Sequence, residues 1–151
     1  MEKKYSSQVP EKVERYASYR VLNYNIRETT EAEILEQWGY SNEEGDSPSE
    51  DFVERHKYVY YTLSIPTTKW SYGGIVNAII REKYTIDEME AITNNMAAIN
   101  AVFMQTLVSG GIVEAVKYLR ESADSDDTEA FKAMQEWRTL AKKEAKEVLG
   151  L

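Results

Sequence analysis

"TTKWSYGGIVNAIIREKYTIDEMEAITNNM", residues 67–96, decides how this chain folds. Read one way, its Gly73-Gly74 pair is a loop that cradles a phosphate, and the chain is an enzyme. Read the other way, it is the bend where an extended segment gives way to two packing helices. A phosphate loop carries further glycines, or a Lys-Ser/Thr after them. Here Thr67, Thr68 and Lys69 precede the pair and Ile75-Val76 follow it. The free amides of a helix start could still hold an anion weakly, which is the lesser reading. The favoured one is that the glycines let the helix start lie close against the strand or a partner backbone. Ser71 is positioned to cap that helix, which runs to about Lys83 with Ile75, Ala78 and Ile79 inward. Thr85-Ile86-Asp87-Glu88 is a capping box, so a second helix begins at about residue 86. Its apolar positions Ile86, Met89, Ile92, Met96, Ile99 and Phe103 recur near heptad spacing. Such a seam packs on another helix at a shallow angle, as core or against another subunit.

Upstream, Arg55 to Ile65 is the strongest strand signal. Val59, Tyr61, Leu63 and Ile65 share one face, Tyr58, Tyr60, Thr62 and Ser64 the other, and Pro66 ends the run. A second strand is read over about Tyr16–Arg27; helical spacing also fits there, but the Tyr and Val content favours a strand. Two strands make a poor sheet on their own. A Tyr-lined strand with a free edge would therefore gain by pairing with its copy or another protein. Thr30-Glu31-Ala32-Glu33 is another capping box, predicting a helix over 31–38 closed by Gly39. Residues 1–9 are read as loose, and the acidic stretches 41–54 and 121–127 as loops.

Downstream, the long helix should stop at Gly110-Gly111. A short helix, 112–121, follows with Val113, Val116 and either Leu119 or Tyr118 inward. Asp126 is read as the cap of the last helix, whose stripe is Phe131, Met134, Trp137, Ala141, Ala145 and Val148. The expected fold is α+β and mostly helical: a two-strand antiparallel element on four to five helices, in a single domain over 1–151.

Composition narrows the function. Apolar residues make up 42% and charged residues 29%, an ordinary soluble balance. No apolar run is read as approaching the length of a membrane span, and no signal-peptide pattern opens the chain. Cysteine is absent, which removes disulfides, thiolate metal sites and a thiol nucleophile. The net charge of −8 opposes direct nucleic-acid binding and anionic membranes. A cytoplasmic setting fits this composition best. Residues 41–54 hold six acids and residues 121–130 five, with no base in either, whereas 55–85 hold five bases against Glu82 alone. That basic centre is where a partner is sought.

Chemistry finds few footholds. His56 is the lone histidine and is read as a surface residue at the head of the strand. The pairs Glu43/Glu44, Asp87/Glu88 and Asp126/Asp127 lack flanking substrate-holding groups, and two of them sit at helix starts where capping explains them. No catalytic residue, metal ligand or cofactor is therefore expected, and the chain is read as a non-enzyme. The expected contact surface is Tyr58, Tyr60, Lys69, Trp70, Tyr72 and Arg81, because exposed aromatics beside bases are the usual hot-spot types.

The runs "KWSYGGIVNAIIREKYTIDEMEAITNNM" (69–96) and "FKAMQEWRTLAKKEAKEVL" (131–149) resemble small accessory and virion-associated proteins of tailed phages and prophages of gut bacteria. In those a strand leads into K-W/Y, an apolar helix ends in R-x-K-Y-[ST], and the chain closes on A-x-x-x-W-R. The likeness covers about 56–84 and 131–149. It implies a phage-encoded accessory or virion-associated protein, in the cytoplasm of a bacterial host or assembled into a virion, and carries no active site across. Binding to another protein or to itself, with a homo-oligomer expected, is read from the Tyr-lined strand and the apolar seam. The alternative is an acidic nucleic-acid mimic inhibiting a host defence protein such as a CRISPR nuclease.

Overall fold

The computed structural model describes residues 1–39 and 47–151. The Glu43/Glu44 pair and residues 41–46 of the first acidic loop lie outside them; residues 50–54 of that stretch are helix rather than loop, and of 121–127 only 123–125 lie between helices. The elements run β1 (Lys3–Ser6), β2 (Val13–Arg15), β3 (Tyr19–Glu28), α1 (Glu31–Trp38), α2 (Glu50–Arg55), β4 (Tyr58–Pro66), α3 (Tyr72–Lys83), α4 (Ile86–Ser122) and α5 (Asp126–Leu149). The α+β class stands. The sheet, however, has four antiparallel strands rather than two, in the order β1-β4-β3-β2.

The two additional strands were hidden by their shortness and polarity. Residues 1–9, read as loose, contain β1, which pairs Lys3 with Tyr61 and Ser6 with Tyr58. β2 pairs Val13 with Leu22 across a tight return. The consequence corrects a second expectation: β4 is no free edge. It is hydrogen-bonded on both sides, to β1 and to β3. The face assignment along β4 holds, with Val59 and Ile65 buried and Leu63 opposite Leu22.

The chain sorts into two compact units, residues 1–78 with 143–151, and residues 79–142. In the first, Leu22, Tyr24, Val59, Ile65, Ile75, Val76 and Ala145 form the apolar interior. A register shift between Tyr24 and Arg27 marks a β-bulge, with Asn25 at a positive φ of 52°. Asn23, on the other face, is buried and fully engaged: its amide donates to the Glu11 carbonyl at 2.8 Å and its oxygen accepts from Thr62 at 2.9 Å. That pins the 11–12 segment to β3.

Both capping boxes form. Thr30 accepts from the Glu33 amide and Thr85 from the Glu88 amide, and each glutamate reaches back. Gly39 takes the left-handed position after α1, and Ser71 Oγ accepts from Gly74 N–H at the start of α3. At α5 the cap is Ser125, whose hydroxyl accepts from Thr128 N–H; Asp126, expected there, is already inside the helix. The smaller side chain also donates to the Ser122 carbonyl at 2.8 Å, closing the turn before α5.

In the second unit, Ile79, Ile80, Ala115, Met134, Trp137 and Ala141 are buried. The Trp137 indole N–H donates to the Ile79 carbonyl at 3.0 Å, and the Lys83 amine lies 4.8 Å over its ring.

The helix α4 spans 37 residues, yet it is not one rod. Gly111 has φ 79° and ψ 179°, outside any helical conformation. Asn95 Nδ2 donates to Asp127 Oδ1 at 2.7 Å. On a straight α4 Asn95 and Ser122 would stand roughly 40 Å apart, at ~1.5 Å per residue, and the five residues on to Asp127 reach at most about 18 Å. The chain therefore doubles back at Gly111, and residues 86–110 and 112–122 are two arms of a helical hairpin. The sequence reading placed the break correctly.

Candidate functional site: two exposed apolar surfaces

The expected contact surface is only partly assembled. Tyr58 and Tyr60 are half-buried, on the sheet face that also carries Thr62; Lys57 lies 5.8 Å from the Tyr58 ring. Lys69 is exposed, Tyr72 is exposed at the start of α3, and Trp70 is half-buried. Arg81 belongs to the other compact unit. What the structure gathers around Trp70 includes a residue the sequence reading passed over. The Arg20 guanidinium stacks 4.9 Å over the indole ring, a cation–π arrangement. The Tyr16 and Tyr19 rings stack at 4.7 Å, and both are exposed. The 3-10 turn Thr67–Lys69 is tied to this region by Thr67 N–H donating to the Ser18 carbonyl at 3.0 Å. The missed signal was the Tyr16-x-x-Tyr19-Arg20 spacing across a turn.

His56 is not on the strand. It closes α2, stacks on Phe52 at 4.0 Å, sits 5.2 Å from the Tyr5 ring, and holds Nδ1 2.8 Å from the Phe52 carbonyl. Trp38 meets Phe52 edge-on, so the imidazole is one member of a satellite aromatic cluster. Among the described residues no group of three or more His, Asp or Glu is placed to hold a metal ion. Asp87 and Glu88 occupy the first turn of α4, where Glu88 closes the capping box; Asp126 and Asp127 open α5. The Thr85 amide lowers the Glu88 pKa below the usual carboxylate range.

The strongest charge cluster is structural. Glu33 accepts from both Arg27 nitrogens and from Lys3, each at 2.7 Å. Those bonds, Arg27 first, hold its carboxyl far below the ordinary range, and they raise the pKa of Lys3 and Arg27 in turn.

Gly74 is required where it stands, since a Cβ there would collide with the Lys69 carbonyl, whereas Gly73 faces open space. The close approach expected of the pair belongs to one glycine, and its neighbour is a local backbone.

The largest departure from expectation is on the hairpin. Residues 91–113 contain no charged residue. The sequence reading found no run approaching a membrane span; α4 carries an 18-residue window of mean hydropathy 1.6, none of it buried. The heptad-like seam is half-buried at Met89, Ile92, Met96, Ile99 and Phe103, with Ile86 exposed. The neighbouring stripe, Ala97, Ala101, Met104 and Val108, is bare, and Val108 is 85% exposed. On the second arm, Ala115 is wholly buried and Tyr118 half-buried. Val113 and Val116, expected inward, are exposed, Val113 at 76%, together with Leu119 and Ile112. Ala115 is the buried position of this arm, and the branched side chains beside it are turned out. An open hollow on this arm is lined by Ile112, Val113, Val116, Lys117 and Arg120.

Comparison of the chain with protein-family models, with curated proteins and with solved structures returned no match.

Proposed function

We propose that the protein is a non-enzymatic interaction module whose docking element is the α4 hairpin. The observation that carries this reading is the uncharged run 91–113, folded back on itself with Val102, Met104, Val108, Ile112 and Val113 exposed. Met104 and Val108 share a face of the first arm, and Ile112, Val113, Val116 and Leu119 are bare on the second, together on the order of 600 Å², at the upper end of the roughly 300–600 Å² of the largest patch on a typical monomer. Apolar surface of that extent is stable in water once a partner covers it. The resemblance of 56–84 and 131–149 to phage accessory and virion-associated proteins supports a phage-encoded role in assembly.

The polar content of the hairpin favours a protein over lipid as the occupant. Asn94, Asn95, Asn100 and Gln105 interrupt the first arm, and amides cost several kcal/mol each in hydrocarbon. The nucleic-acid-mimic alternative draws on the net charge of −8. It is weakened because the carboxylates of Glu33 and Glu144 are largely buried, against Arg27 and Lys3 and against Lys12.

The test is a photo-crosslinking residue, benzoylphenylalanine, in place of Val108, irradiated in cells making the full chain. Adducts with protein, abolished by Met104→Glu, are expected. Lipid adducts, or none, would sink the reading.

A further inference from the structure

We infer that the occupant of the hairpin is a second copy of this chain: two hairpins pair their bare stripes and form an intermolecular four-helix bundle. This rests on the interaction reading above and names its partner. Three observations point to self-association rather than to a different protein.

The first is area. A standard interface takes about 800 Å² from each partner, and the exposed side chains Met104, Val108, Ile112, Val113, Val116 and Leu119 supply on the order of 600 Å² before their alanine neighbours are counted. The hairpin alone thus meets most of what a stable dimer needs, with no second contact region required.

The second is charge. Copies of a chain at −8 repel one another almost anywhere on their surfaces. Residues 91–113 are the longest stretch without a charged residue, so along the first arm two copies meet with no ion to desolvate. On the second arm Glu114 and Glu121 stand beside Lys117 and Arg120, so that opposite charges are available across the junction. A strongly basic partner would instead be drawn to the acid-rich segments at 121–130, which flank the hairpin's second arm.

The third is shape. Ala97 and Ala101 precede Met104 and Val108 on the bare stripe of the first arm, spaced by 4, 3 and 4 residues. That spacing is a coiled-coil-like seam, and its small residues let helices approach to about 8–10 Å. Two arms from each copy complete a bundle with closed two-fold symmetry, the commonest oligomer geometry. The Asn100 and Gln105 amides can then bond across the junction.

The full chain, 17.4 kDa, is examined by sedimentation equilibrium over a wide concentration range. A species of twice the chain mass at micromolar concentration is expected. Val108→Glu and, separately, Met104→Gln should weaken its association by roughly 100-fold or more for the charge and roughly 10-fold for the amide. Both variants should keep wild-type circular dichroism, because both side chains are exposed in one copy. The thermal midpoint of the wild type should rise with concentration, and that of Val108→Glu should not. A chain that stays monomeric throughout the range overturns the inference, as does a dimer that both substitutions leave intact. A monomer whose crosslinker at 108 captures a different protein sinks the second copy and leaves the interaction module standing. Failure to capture any protein sinks both.

Discussion

Glu144, near the end of the last helix, accepts a hydrogen bond at 3.0 Å from the backbone N–H of Asn25, at the bulge in the central strand β3. A bulge frees an N–H from the ladder, and a buried unpaired donor is costly. Glu144 meets that need, and its other oxygen holds Lys12 at 2.8 Å. Burial pulls the Lys12 amine down, and its bonds to Glu144 and Glu147 more than reverse this, leaving its pKa raised. Glu144→Ala should cost about 2–3 kcal/mol in chemical denaturation, since it orphans the amide and leaves the Lys12 ammonium with Glu147 alone. Glu144→Gln keeps an acceptor for Asn25 and should cost about 1 kcal/mol. Equal losses for the two would show that the bulge amide finds another partner.

The Glu33 cluster gives the fold an acid-sensitive point. Its folded pKa is depressed by Arg27 and Lys3, so its contribution is present in full above the ordinary carboxylate pKa and is lost as pH falls below it. Wild-type stability should therefore decline more steeply below about pH 5 than that of Glu33→Gln, which should be the less stable by about 2 kcal/mol at neutral pH. Parallel pH profiles for the two proteins would contradict this.

The glycine pair separates into a required and a dispensable member. Gly74→Ala drives a methyl into the Lys69 carbonyl and should cost about 2–3 kcal/mol or more. Gly73→Ala meets open space inside α3 and should stabilise the protein by about 0.5 kcal/mol. Thermal unfolding of the two single variants is enough to check the contrast in sign.

Gly111 combines φ 79° with ψ 179°, a region essentially reserved for glycine. Gly111→Ala should destabilise the hairpin by about 1–3 kcal/mol. It should also lengthen the particle in small-angle scattering as the arms straighten. Unchanged scattering with unchanged stability would mean the reversal does not depend on this residue.

Where each feature stood in the sequence follows from how local its cause is. The two capping boxes, the Gly39 terminus and the α5 stripe were legible because each depends on residues within a turn or two. β1 was not, because Lys3–Ser6 becomes a strand only through register with β4, more than fifty residues away. The same non-locality turned β4 from an expected edge into an interior strand. Around Trp70 the sequence offered the exposed aromatics but not Arg20, which arrives from β3. On α4 the periodicity marked an apolar seam and gave no means to say which of two adjacent apolar stripes would be covered. On the second arm Ala115 is the buried position, and Val113 and Val116 lie outside.

Residues 143–151 belong to the same compact unit as residues 1–78. During synthesis the sheet leaves the ribosome early and must wait for Glu144 before its bulge is satisfied. Until that carboxylate arrives, the Asn25 donor has no acceptor from the last helix, so an early-made strand is the one whose completion depends on a residue more than a hundred positions later.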